Sequence, residues 1–528
     1  MRDFKTVPFG ELLESFVPAG EETLAKKMKS GFMYETAALG GAKDLLREML
    51  ALVSRAVLFY EFSALNPQYK YRSAFDRFLG DDREDDQTGV SREQYNRFIQ
   101  GMLNRGNIDL FNKYPLLAGL MKETAILWVD FMAGFFSALE RDRHEIAGFF
   151  FNQQRVDNSS ISVSFEDATN FGNFTGIVTF ANHKLVYKPR NIDIENSFDQ
   201  LIQWLNNSVG GVQLKAVKVL NRKDYGWAEF VQHRPCETEE QVKNFYLKSG
   251  MLLGILYIFS SIDMHNGNLI ACGEHPVLTD LEGLVGTNNQ WDILSTNMLP
   301  AHFIQRNGNY VSYNTLAAET VTEKYYKDMV LSNINTDAMR MGFEYLPDSP
   351  KSVVKLNGDR VFSYQYSDQV LEGFTLVYAW IMDHSDEFLD RIRQLFKGDK
   401  VRFFFRSVAF YISILYRFLQ PANLKETNKN GLWEQLAGEL AVSDPAIKNS
   451  VINYEYESLG RLVIPRFYIN LMDGKFESFE GLSVTDLGRN VPYNRIEKKV
   501  RHLSRDDLIK QHGVMQNAFN AYRNYYKG

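Results

Sequence analysis

The chain has 528 residues, enough for two or three domains at about 150 residues each. Hydrophobic residues make up 45% and charged residues 23%, which excludes a wholly disordered chain. A net charge of −6 argues against a nucleic-acid-binding surface, and two cysteines outside any CxxC pair, Cys236 and Cys272, exclude a disulfide framework or a thiolate zinc site. The first eight residues carry charge but no apolar core, so no secretory signal is expected and the cytoplasm is the expected compartment.

Residues 8–150 show helical apolar spacing, clearest over 41–62 and 116–146. An acidic run over 80–86 interrupts it, and reads as a solvated connection or as a docking patch for a basic peptide. At about Ile161 the period changes to two. Strands are predicted over 161–165, 175–180 and 185–188, with a turn at Asn182-His183. The first two are joined by a polar stretch carrying Gly172 and Gly176, and the third ends in Lys188. Strand, glycine-bearing loop, strand and a strand ending in lysine is how a kinase N-lobe begins. Pro189 breaks the third strand, 194–206 predicts an amphipathic helix, and a strand pair is expected within 212–231. Beyond Glu240 the spacing predicts mostly helix. Residues 250–262 are uncharged, interrupted by Ser260 and Ser261 and too short to span a membrane, and read as a buried helix.

The chemistry concentrates in Asp263-Met-His265-Asn-Gly-Asn268, followed by a turn at Gly273 and then Asp280-Leu-Glu282. Phosphoryl transfer needs a carboxylate to orient the attacking hydroxyl and accept its proton. It also needs an amide and a second carboxylate to hold Mg²⁺ on the phosphates of ATP. Asp263, Asn268 and Asp280 have the spacing of that set, with Lys188 upstream. Glu229, in Gly226-Trp-Ala-Glu-Phe-Val231, falls where an adenine-binding hinge belongs. Asp193, Glu195 and Asp199 are all candidates to pair Lys188. His265 is either a satisfied core histidine or an orienting group in the loop.

With these residues in place, the chain resembles the N-terminal dehydration domain of class II lanthipeptide synthetases. The resemblance runs from Pro8-Phe-Gly-Glu-Leu-Leu-Glu-Ser-Phe16 through Tyr114-Pro-Leu-Leu-Ala118 and Ser137-Ala-Leu-Glu-Arg-Asp142. Its most specific parts are Leu185-Val-Tyr-Lys-Pro-Arg190, Tyr225-Gly-Trp-Ala-Glu-Phe230, the loop at Asp263 and Asp280-Leu-Glu282, and it ends near Leu503-Ser-Arg-Asp-Asp-Leu508, where Ser504 suits an N-cap. The resemblance implies an α+β fold with a lipid-kinase-like bilobal core. The expected parts are a helical N-terminal region (1–155), a β-rich N-lobe (156–235) and a helical C-lobe with elimination elements (236–528). It implies that Ser and Thr of a ribosomal precursor peptide with a leader segment are phosphorylated with ATP and Mg²⁺, and that phosphate is then eliminated to leave dehydroalanine or dehydrobutyrine.

Carried over by position, Lys188 contacts the ATP phosphates, Asp263 is the base with His265 beside it, and Asn268 and Asp280 hold Mg²⁺ with Glu282 nearby. Gly172, Gly176 and Glu229 belong to the nucleotide site. Arg402, on a cationic helix spanning 401–411, stabilises the departing phosphate, as a guanidinium fork can. Two positions depart from the family. The elimination threonine falls at Val408, beside Ser407, and the family's Asp-x-His reads Asp167-Ala-Thr169. Both touch elimination and spare phosphorylation, so a peptide kinase that stops at the phosphorylated product is the competing expectation, with a non-catalytic peptide-binding scaffold behind it. No cyclase with Cys and His zinc ligands is expected in the chain, so ring closure would fall to another protein.

Overall fold

The computed structural model describes residues 7–28, 36–65, 91–105, 108–151, 161–166, 174–180, 183–211, 213–286, 292–301, 303–306, 309–318, 321–348, 350–437, 445–478, 483–484 and 491–527. The fold is α+β, with helices and several small sheets. Two compact units are each assembled from three stretches of chain. One takes Met1–Pro189, Tyr326–Leu346 and Phe405–Pro465; the other takes Arg190–Tyr325, Pro347–Phe404 and Arg466–Gly528. The acidic run at 80–86 lies outside the described residues. Among those described, no helix is long and apolar enough to cross a membrane.

In the first unit, the helices Thr36–Leu65 and Pro115–Phe150 cover the predicted periodic segments. Trp128 donates its indole N–H to the carbonyl of Ala42 at 2.7 Å, tying one to the other inside the core. Three antiparallel strands follow: β1 (Ile161–Glu166), β2 (Thr175–Phe180) and β3 (His183–Lys188). Gly41 lets the first helix lie on β1, since a Cβ there would come within 1.8 Å of the Val163 carbonyl. Phe131 and Phe135 meet Phe165 edge-on, with ring centroids 5.4 and 5.5 Å apart, and Phe135 meets Tyr187 at 5.0 Å. These contacts seat β3 on the long helix.

The second unit holds β4 (Val219–Asn221), β5 (Gly226–Glu229), and the hairpin β6 (Leu269–Cys272) and β7 (His275–Leu278). Its central helix, Glu239–Ile258, starts on Thr238, whose hydroxyl accepts the Gln241 N–H, and carries Glu239 and Glu240 in its first turn, where the helix dipole favours them. Residues 248–258 are all buried, which a helix apolar on every side requires. Gly250 and Gly373 permit its close crossing with Ser367–Asp383: a Cβ would lie 2.0 Å from the Val370 carbonyl in one case and 1.9 Å from that of Leu247 in the other. At the last helix, Ser504 accepts the Asp507 N–H at 3.2 Å, the cap read from the sequence.

One expectation is corrected. The chain beyond Glu240 is not mostly helical until Ser367: strands recur from β6 to Asp359–Arg360. The segments Asn309–Ser312, Val321–Ser332 and Arg340–Asp348 are rich in Val, Tyr, Phe and Thr, and those residues fit a pleated surface.

Candidate active site

The central helix stops at Ile258, and Ser260 and Asp263 then take left-handed backbone angles (φ 52° and 65°) that cost a non-glycine residue about 1–2 kcal/mol. Such strain persists only where the surroundings enforce it. Here the Asp280–Gly286 segment does so: Ile262 donates to the Gly283 carbonyl at 2.9 Å, and Gly286 donates to that of Ser260 at 3.1 Å. The Ser261 hydroxyl also donates to the Leu284 carbonyl. A Cβ on Gly283 would sit 2.4 Å from the Ile262 carbonyl oxygen, and one on Gly286 2.3 Å from that of Ser260. Those two glycines make the clasp possible. On the other side, Met264 donates to the Thr296 carbonyl at 3.0 Å and Asn266 to that of Tyr313 at 2.9 Å, while the Thr315 hydroxyl donates to the Met264 carbonyl at 2.7 Å.

Inside the loop, His265 Nδ1 accepts the Gly267 N–H at 3.0 Å, which leaves its neutral-form proton on Nε2. That Nε2 lies 3.8 Å from Asp263 Oδ1, so the imidazole faces the carboxylate. The Asn268 amide nitrogen donates to the Asp263 carbonyl at 2.8 Å and leaves its oxygen as an acceptor. Asp263, 54% exposed, has a raised pKa: partial desolvation contributes most, His265 and Arg402 oppose it, and Asp280 and Glu282 add to it. A carboxylate more basic than an ordinary aspartate is better suited to take a proton.

Behind the loop lies a group of charges. Glu282, 11% exposed, meets Arg402 Nη1 at 2.6 Å, Arg190 Nε at 2.9 Å and Arg466 Nη1 at 3.9 Å. Arg190 also holds Glu195 at 2.6 Å and Asp280 Oδ1 at 3.1 Å. Burial alone would raise the pKa of Glu282, but the Arg402, Arg190 and Arg466 guanidiniums together hold it well below the usual carboxylate range. Both Glu282 oxygens are thus engaged by cations. Asp280 is 42% exposed.

The 401–411 stretch is not one helix. Lys400–Phe403 is a strand paired with Phe467–Asn470, and the helix begins at Val408 with Ser407 as its N-cap, the hydroxyl accepting the Phe410 N–H. Val401-Arg-Phe-Phe-Phe405 is β-branched and aromatic, so it favours the pleat, and the cap starts the helix later. Arg402 therefore faces Glu282 from a strand, directly opposite Tyr468.

Lys188 is the last residue of β3, in the first unit. Gly176 sits within β2, opposite Tyr187, where a Cβ would press on the Phe165 ring at 3.1 Å. Glu229 ends β5 and accepts Lys215 Nζ at 2.9 Å; beyond it, Arg234 donates to the Ala271 carbonyl at 3.0 Å, so the chain leaving β5 runs beside β6. Of the acids considered for Lys188, Glu195 binds Arg190, Asp193 binds Asn191 at 2.6 Å, and Asp199 binds Gln203 at 2.8 Å. Asp167, Thr169 and Gly172 lie outside the described residues. Arg190, Arg466 and Tyr468 were not singled out from sequence as site residues. Arg190 follows the Lys188-Pro189 step and could have been, whereas nothing local marks the other two.

Residues 114–470 match the family model described as a domain of unknown function (DUF4135). That match covers more than half of the chain, so the chain belongs to this family. The lacticin 481/lactococcin biosynthesis protein LcnDR2 of Lactococcus lactis subsp. lactis is 21% identical over 384 residues, an alignment covering 66% of this chain and 40% of that protein. The chain thus spans well under half the length of this relative. Together the matches bear out the resemblance to class II lanthipeptide synthetases.

Proposed function

We propose that this member of the DUF4135 family is a lanthipeptide-type dehydratase with a lipid-kinase-like bilobal core. It takes the γ-phosphoryl group of ATP onto Ser and Thr hydroxyls of a ribosomally made precursor peptide, then eliminates phosphate to leave dehydroalanine or dehydrobutyrine. The relative's role in lacticin 481/lactococcin biosynthesis supports the substrate class. The observation that carries the reading is the clasped loop, in which Asp263, strained and made more basic than usual, faces His265.

In the first step the substrate oxygen bonds to the γ-phosphorus, the bond to ADP breaks, and the hydroxyl proton passes to Asp263. Lys188 contacts the phosphates, and Gly172, Gly176 and Glu229 border the nucleotide. No three His, Cys, Asp or Glu side chains are gathered to hold a metal ion by themselves among the described residues. The Asn268 amide oxygen and the exposed Asp280 carboxylate offer two oxygen ligands, which fits Mg²⁺, an ion that keeps its other positions for water and phosphate. Bound there, it would neutralise phosphate charge. In the second step a base removes the Cα proton, the Cβ–O bond breaks, and phosphate leaves with the bonding electrons toward the Arg402 guanidinium. Asp167 lies on the loop expected to serve this step.

A second reading, a peptide kinase that stops after phosphorylation, is favoured by one observation. Val408 brings no hydroxyl to the start of its helix, and the neighbouring Ser407 hydroxyl is occupied as the cap. Mass spectrometry of a Ser/Thr-rich precursor peptide with ATP and Mg²⁺ separates the two. Loss of about 18 Da per site means complete dehydration, and a persistent gain of about 80 Da means a kinase. Asp263→Asn is expected to lower phosphate transfer by about 10²–10⁴-fold; full activity in that variant would overturn both readings.

A further inference from the structure

The hydroxyl of Tyr468 is shut away from solvent and makes no hydrogen bond. A buried donor without a partner costs about 1–3 kcal/mol, so its place in the fold calls for an occupant. The surroundings say which kind. Tyr468 lies directly opposite Arg402 across the strand pair, so both side chains emerge on one face of the sheet. Arg466, two residues before it on the same strand approach, reaches the same Glu282 as Arg402 does. Burial is the main cause that raises the Tyr468 pKa, and the next is the neighbouring Arg466, which opposes it. The described ion pair of Arg402 is with Glu282, whose Oε1 makes no aligned hydrogen bond although Arg190 Nε is 2.9 Å away. Guanidinium forks therefore converge on one carboxylate, beside a hydroxyl with a proton to offer.

We infer that Tyr468, with Arg402 and Arg466, forms a binding site for the dianion of a phosphate group. Glu282 holds the guanidiniums in place until the dianion arrives, and the Tyr468 hydroxyl donates a hydrogen bond to it. Two guanidinium forks and one hydroxyl offer donors to three phosphate oxygens, and Arg402 would exchange part of its bond to Glu282 for the dianion. That the phosphate is the one cleaved from a modified peptide rests on the function proposed above; the anion site itself does not.

Calorimetric titration of inorganic phosphate into the full chain tests the site. The wild type is expected to bind phosphate and Tyr468→Phe about tenfold more weakly, as for a lost hydrogen bond to a charged group, with Tm in phosphate-free buffer unchanged or raised. Tyr493→Phe is the control, because its hydroxyl is also buried without a hydrogen bond but stands beside Arg393. Its phosphate affinity should equal that of the wild type. Absence of phosphate binding in the wild type would mean that only an ordered water fills the gap, and equal affinity in Tyr468→Phe would likewise overturn the inference. The function proposed above stands or falls separately. Phosphate binding lost on Tyr468→Phe, with no peptide phosphorylated by the wild type, keeps the site and removes the kinase. Peptide phosphorylation with equal affinities keeps the kinase and removes the site.

Discussion

Arg402 and Arg406 are four residues apart and each holds a glutamate, yet the two ion pairs are built to different ends. In the first unit, Arg406 (side chain 4% exposed) meets both oxygens of Glu455 (0% exposed) at 3.1 and 3.2 Å. The Tyr411 hydroxyl donates to the same carboxylate at 2.6 Å, and Arg406 Nη2 donates to the Leu436 carbonyl at 2.7 Å. The donors around that glutamate have acceptors, and the group is closed. In the second unit, Arg402 shares Glu282 with two other guanidiniums, the neighbouring tyrosine hydroxyl is left without a bond, and Asp280 and Asp263 beside it are open to solvent. The closed network is how a buried ion pair offsets its desolvation. The open one holds charge ready for something that is not part of the chain.

The comparison can be broken most forcefully at its closed end. Arg406→Ala would strand a buried carboxylate and is expected to cost about 3–5 kcal/mol, read as a large fall in Tm or in the denaturant midpoint. A shift below about 1 kcal/mol would show that Glu455 simply takes up a proton. At the open end, Glu282→Gln should cost about 2 kcal/mol near neutral pH, because three guanidiniums lose their counter-charge. The pKa of Glu282 is depressed in the fold, so its stabilisation is complete above the unfolded value of 4.5 and is lost as pH falls below it. The gap in Tm between wild type and variant should accordingly be constant from pH 6 to 8 and narrow in acid, by about the same margin.

Asp399 sharpens the question of what an unpartnered buried atom means. Its Oδ2 has no hydrogen bond, and burial pushes its pKa up to about 7 from 3.8. The folded chain therefore keeps a proton that the unfolded chain releases between those values, and stability falls as pH rises from about 4 to 7. Asp399→Asn should be close to wild type at pH 4 and more stable at pH 8, by on the order of 1–2 kcal/mol in thermal melts. No difference at pH 8 would mean that the carboxyl gains a partner when ionised. The smallest effect is the most direct comparison of the two networks. Tyr411→Phe should cost about 1 kcal/mol because its hydroxyl is used, whereas Tyr468→Phe should leave stability unchanged or raised because its hydroxyl makes no hydrogen bond in the fold. Equal losses in chemical denaturation would erase the distinction between the closed group and the open one.

Much of this architecture is legible along the chain, and the misses have separate causes. The helices over 41–62 and 116–146 show in their apolar period because each buries one long stripe. The three strands ending at Lys188 show in their period of two. Asp263, His265 and Asn268 sit together because they lie within six residues of one loop, and Gly283 and Gly286, just after the Asp280-Leu-Glu282 motif, let that segment pack against it. The strand at Lys400–Phe403 falls within the cationic helix that the family resemblance implies over 401–411. The cap at Ser407 and pairing with Phe467–Asn470 decide otherwise. The strands between Phe303 and Asp348 pair with their nearest neighbours along the chain, so their short or irregular apolar pattern, not distant pairing, hides them.

The sequence by itself determined the family, the α+β class and the loop that carries Asp263, because each of these is written in residues close together. Only the tertiary structure decided that Arg402 reaches Glu282 across 120 positions, that Arg466 joins them, and that the Tyr468 hydroxyl lies among these charges with no bond of its own. Ion pairs and strand registers between distant segments depend on how the segments pack, and local period and spacing carry no record of that.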